Sequence, residues 1–307
     1  MKKEDFAEVL GDISERHIAT ARAERKAKKP SWRKWAAMAA CLCIMAGAVM
    51  YMKSRMPTTG QQKNPRITVS DVGVSIPKLD VSLSNDVEAD MIGFFIYQGS
   101  CYVQYEWLEN AGDIVGEYLG TATGLIDEWT PKDGYAELAG SVKGDFYSVK
   151  GYDPSFMLCI VHESGDISTY ICNTGITIKY GAELYDDRLH LTGNYHKIQF
   201  ETRASWYQSK GEVYSLEDSA IVSDFIHALN AAEFIPWETV PAMEGHTTSS
   251  IYDTELYHVY FSMDNGTTVH LRLYENGYVR FEGMNDICVQ VPAETYAAFL
   301  SLLDASM

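Results

Sequence analysis

YHVYFSMDNGTTVHLRLYENGYVRFE, residues 257–282, is the stretch on which the fold turns. Its residues alternate between apolar and polar, and two glycine turns, DNG and ENG, cut it into three strands at 257–263, 267–274 and 278–282. The turns also set the register. A two-residue loop at Asn265-Gly266 opposes Phe261 to His270 and Val259 to Arg272, which mixes the faces. A three-residue loop with Gly266 left-handed opposes Phe261 to Val269, Val259 to Leu271 and Tyr257 to Leu273. The next loop then sets Val279 against Leu273 and Phe281 against Leu271. The second register gives one continuous apolar face and is the one expected.

That register gathers His258, Tyr260, His270, Arg272, Tyr274, Tyr278 and Arg280 on the opposite face. It sets Arg272 directly against Arg280. Like charges so opposed destabilise a sheet unless an anion or an acidic side chain lies between them. Two readings stand open: an acid from residues 238–255 neutralises the pair, or the face recognises a carboxylate or a protein.

Moving outward, Ser215 and Asp218 resemble a capping box, and Ile221, Val222, Phe225, Ile226 and Leu229 follow at helical spacing. Beyond the meander, Pro292 opens a helix carrying Tyr296, Phe299, Leu300 and Leu303 on one face. Residues 212–307 therefore read as a helix–three-stranded antiparallel meander–helix unit. Residues 88–211 read as a β-rich domain with strands at 91–97, 101–106, 135–138, 145–149, 156–162, 167–172, 188–191 and 197–201. Its GEYLGTATG run, 116–124, is too glycine-rich for a helix and reads as a turn-rich surface or sheet corner. The fold class expected is α+β, with an N-terminal transmembrane helix ahead of both units.

The membrane helix is read from residues 35–52, WAAMAACLCIMAGAVMYM, which carry no charge. Eighteen residues span about 27 Å, close to the shortest bilayer crossing. Trp32, Trp35 and Tyr51 flank the span at headgroup depth. Seven basic residues between Arg22 and Lys34 precede it, which keeps the N-terminus cytoplasmic and places the rest outside. Cleavage after Ala46-Gly47-Ala48 and lipidation at Cys41 are weaker alternatives, because the region before the span is long and the apolar run before Cys41 is short. Residues 53–87, with Pro57, Pro65 and Pro77, read as a tether. In the tail, 1–34, Phe6, Val9, Leu10 and Ile13 form a helical stripe, either for a partner or as part of a plain juxtamembrane stub.

Charge divides sharply across the span. The tail holds ten basic and six acidic residues, while residues 53–307 hold fifteen and thirty-six. So acidic a body repels a phosphate backbone, and no nucleic-acid partner is expected. Catalytic signatures are missing too: Ser100 and Ser205 lack a GxSxG elbow. Asp186, Asp187, His190 and His196 have no spacing that fixes three metal ligands. No cofactor is expected. Cys159 and Cys172 flank a hairpin and are a candidate disulfide, with buried free thiols the equal alternative.

The segments MKKEDFAEVLGDISERHI (1–18) and KKPSWRKWAAMAACLCIMAGAV (28–49) resemble the N-termini of single-pass membrane proteins of Clostridia and related Firmicutes. Many of these are encoded beside extracytoplasmic-function sigma factors and are described as anti-sigma-like. SLEDSAIVSDFIHALN (215–230) and YFSMDNGTTVHLRLYENGYVRF (260–281) are similar to the outer units of such proteins. The resemblance implies a sensory or regulatory protein with a partner at its cytoplasmic tail or its ectodomain. The tail has no paired-cysteine zinc pattern. A cell-surface module binding peptide or glycan is the alternative, and a hydrolase ranks third.

Overall fold

A computed structural model of the protein describes residues 67–78, 93–109, 111–126 and 136–307. The tail, the expected membrane helix and most of the tether lie outside the described residues. Among those described, no helix is long and apolar enough to cross a membrane. Residues 62–307 group into one compact unit.

The strands are β1 (Thr68–Ser70), β2 (Gly73–Ile76), β3 (Phe94–Tyr97), β4 (Ser100–Leu108), β5 (Val115–Thr123), β6 (Lys143–Val149), β7 (Met157–Val161) and β8 (Ile167–Ile171). There follow β9 (Ile176–Ile178), β10 (Tyr195–Thr202), β11 (Tyr214–Leu216), β12 (Phe234–Pro236), β13 (Glu255–Met263), β14 (Thr268–Tyr274), β15 (Tyr278–Phe281) and β16 (Ile287–Gln290). They make three sheets, in the orders β1-β2-β9, β3-β4-β8-β7-β6-β5 and β11-β10-β13-β14-β15-β16-β12.

This corrects the α+β expectation. Among the described residues strand takes 41% and helix 24%, so they are mostly β, and the three-stranded meander is only the centre of a seven-stranded sheet. Three of the four strands that widen it escape sequence reading for a physical reason, while β10 was expected as a strand at 197–201. β11, β12 and β16 have three or four residues each, too few to show a period. β10 comes from the region before residue 212 and pairs directly with β13.

The register of the meander is the one argued from its turns: Phe261 faces Val269, Val259 faces Leu271 and Arg272 faces Arg280. Gly266 has φ of 91°, the left-handed conformation that the three-residue loop requires. The helices Ala220–Ala231 and Ala293–Ala305 both cover the apolar face, with Phe225 and Phe299 stacked at 3.9 Å. The first is capped by Ser219, not Ser215, because Ser215 is taken into β11 opposite Gln199. Residues 188–191 are a turn after the short helix Ala182–Tyr185, not a strand. Leu189 and Leu191 are buried there, which imitates strand alternation.

The GEYLGTATG run is β5, a strand bent by two register shifts. Residues 138–141 bond to β3 through Ile96 and Phe94, and Leu138 accepts from Thr123 of β5 at 2.9 Å. The six-stranded sheet thus curls toward closure around Phe95, Phe146, Leu158 and Tyr170. Gly140 is required at that seam: a Cβ there would meet the Phe94 carbonyl oxygen at 2.3 Å. The sheet's other face joins Phe261, Leu271 and Phe281 in a core shared by both large sheets.

Candidate functional site

A β-bulge builds the polar face of the seven-stranded sheet. Between Glu255 and Tyr257 the pairing of β13 with β14 slips by one residue. Regular alternation would put Glu255 on the core side with Tyr257. The slip re-aims it to the side of His258. There Glu255 clamps Arg272, accepting from Nε at 2.5 Å and from a terminal nitrogen at 2.9 Å. Glu282 adds an oxygen at 3.2 Å. Burial works against the Arg272 charge, but the Glu255 hydrogen bonds and the two carboxylates outweigh it and hold the guanidinium charged.

Arg280 turns the other way. It is 2% exposed and lies 4.4 Å over the Trp237 ring. It donates to Tyr274 Oη at 3.1 Å and to Asn285 through its backbone and side-chain oxygens at 2.7 and 2.8 Å. Its Nε has no partner among the described residues. Tyr274 and Tyr278 are buried here with Trp237, Val240 and Ile251, and Tyr278 donates to Glu244 at 2.7 Å. The segment 237–254 covers this half of the face, so the two opposed arginines are served by separate surroundings.

The other half lies around His258. The side chain is fully buried, and its Nδ1 sits 2.8 Å from His270 Nε2. Its Nε2 is 3.3 Å from a Glu255 oxygen but lacks hydrogen-bond geometry. Burial, then the Arg272 charge, pushes His258 down to about 3. Burial, then His258 and Arg272, lowers His270 to about 3 as well. Both are therefore neutral near pH 7. Tyr260 packs on His270 and donates to Glu201 at 2.8 Å, and Ser205 donates to the other Glu201 oxygen at 2.7 Å.

Over this cluster lies the short helix Arg203–Tyr207, capped by Thr202 accepting from Ser205 N. The Trp206 indole stacks on His258 at 4.5 Å and 11°. Its outer surface remains open: Trp206 is 37% exposed and Tyr207 49%. Arg203 lies 4.9 Å over the Tyr207 ring and pairs with exposed Asp253 at 2.8 Å. An exposed Trp–Tyr–Arg group thus stands on a buried ionic layer.

All seven residues singled out in the sequence share the face, though it divides into a half under 237–254 and a half under the short helix. Glu201, Glu255, Glu282, Trp206 and Tyr207 were missed. Glu255, inside the 238–255 segment expected to supply an acid, was hidden by the bulge. Glu282 ends the meander itself, two residues past Arg280 on the same face. Glu201, Trp206 and Tyr207 come from segments whose pairing with the meander has no local signal. Cys159 and Cys172 are free and buried. Cys159 faces the shared core and Cys172 the interior of the curled sheet, so the strand pleat separates them. Asp186 accepts from Thr192 and Asn230, whereas His196 lies near Asp264 at 3.4 Å. Comparison with protein-family models, with curated proteins and with solved structures gives no match.

Proposed function

We propose that the protein is a membrane-anchored extracytoplasmic sensor or regulator that acts by binding a protein partner. The observation that carries this reading is the exposed Trp206–Tyr207–Arg203 group on a fixed base. Trp, Tyr and Arg are the side chains that dominate the energetics of protein interfaces, and rigid aromatics lose little entropy on binding. Here stacking on His258 and bonding to Arg272 hold the two aromatics in place before any partner arrives. The uncharged span at 35–52 and its basic flank support the anchor, and the resemblance to anti-sigma-like proteins supports a regulatory role.

Co-purification of the full chain from membranes tests this, with Trp206→Ala compared against Tyr118→Ala. Tyr118 is 58% exposed on β5, away from the site. Loss of a central aromatic anchor costs about 2 kcal/mol or more, roughly thirtyfold in affinity. Trp206→Ala should release the partner while Tyr118→Ala retains it. Equal retention by both contradicts the reading, and capture of cell-wall glycan in place of protein favours the surface-module alternative.

A further inference from the structure

We propose that the His258–His270 pair is a proton-operated latch, whose protonation lifts the helix Arg203–Tyr207 from the sheet and so alters the recognition face. This rests on the binding face proposed above and adds its regulation.

The pair is built so that an added proton is poorly compensated in the closed form. The two rings share one hydrogen bond, and the remaining nitrogen of His258, Nε2, makes none among the described residues, lying 3.3 Å from a Glu255 oxygen. The groups around them are already committed. On β13, Glu255 is clamped by Arg272 and Tyr260 donates to Glu201. On β10, Glu201 also takes the Ser205 hydroxyl. Glu282, after β15, holds Arg272, and the β14 guanidinium itself repels a second cation. From β4, Tyr105 Oη accepts from His270 N, and Glu106 accepts from Thr268 N. From the covering helix come Trp206 on the His258 ring, Tyr207 on Arg272, and Arg203 on Asp253. A charged pair is thus a buried cation beside Arg272, and the carboxylate nearest it, Glu255 at 3.3 Å from His258 Nε2, already balances that guanidinium.

The cover is the part able to yield. It is five residues long, and an exposed segment with left-handed Ser209 and Gly211 follows it. Lifting it brings water to His258. The indole's attraction for an imidazolium opposes this, but that attraction is weaker than the cost of burying a charge. The pair's depressed proton affinity is the closed-state side of the same balance.

The test uses the full chain carrying 5-fluorotryptophan and 15N-histidine, titrated from pH 7.5 to 4. Trp206→Phe assigns the Trp206 fluorine resonance, and Trp237, on the other half of the face, reports unfolding. The expected result is a Trp206 shift that shares one midpoint with protonation of His258 and His270, below the ordinary histidine value of about 6.5, while Trp237 stays still. The shift should vanish in His258→Gln. Imidazoles that protonate under an unmoved Trp206 overturn the latch, as does a shift shared with Trp237. Partner capture at pH 7.5 is scored separately. A failed titration with capture intact removes only the latch, whereas a Trp206 shift without capture removes only the binding face.

Discussion

Glu106 occupies the joint between the two large sheets. β15 is short, so the β14 backbone beyond it lacks a backbone partner at Thr268 and at the His270 N–H, while the His270 carbonyl accepts from Glu282 N at 2.9 Å. Side chains from β4 fill the gap: Glu106 accepts from Thr268 N at 3.1 Å, and Tyr105 donates to Thr268 O at 2.7 Å. Burial pushes the Glu106 carboxyl up to about 7, although the Thr268 bonds pull it down. The folded state therefore holds more protons than the unfolded one between the ordinary value of 4.5 and about 7. Stability through this group falls as pH rises across that window and is level above it. Glu106→Gln keeps an acceptor and removes the charge. Denaturant midpoints should show an advantage for the variant that grows from pH 4.5 to 7 and then holds. An advantage that shrinks with rising pH contradicts a buried, raised carboxyl. Nothing in QYEWL marks Glu106 for this place, because its partner is 162 positions away.

At the scale of elements, the meander was legible because three things agreed: alternation, two glycine turns, and a register that separated faces. The same reasoning located Arg272 opposite Arg280, and Glu255 falls within the segment expected to supply a neutralising acid. Its route onto that face was not legible, since a bulge leaves no mark in the polar–apolar pattern. β5 was obscured because its glycines suit both a turn and a strand coiled toward closure. The packing account has a direct check at Phe261, which is fully buried with Tyr195 edge-on at 5.2 Å. Phe261→Ala loses transfer energy and opens a cavity, so it should destabilise residues 62–307 by about 3–5 kcal/mol. A loss under about 1 kcal/mol in guanidinium melts would mean that the core face is not Phe261's.

At the scale of the whole molecule, the described residues join through one shared core, from Ile167 and Ile171 of β8 to Phe299 and Leu303 of the last helix. A chain break at 211/212 would fall between β10 and β11, two hydrogen-bonded strands of one sheet. Long-range pairing of this kind is what local patterns cannot reveal, and it is also what raises Trp206 over His258. The acidic body and uncharged span frame a single proposal: an anchored ectodomain that meets its partner through the short helix. Photocrosslinking in intact cells tests that claim most directly, with p-benzoylphenylalanine at Tyr207 or, as a control, at Tyr118. The account predicts a discrete protein adduct from position 207, formed outside the membrane, and none from 118. Adducts of equal yield from both positions, or none from 207 in a chain that melts normally, would contradict it.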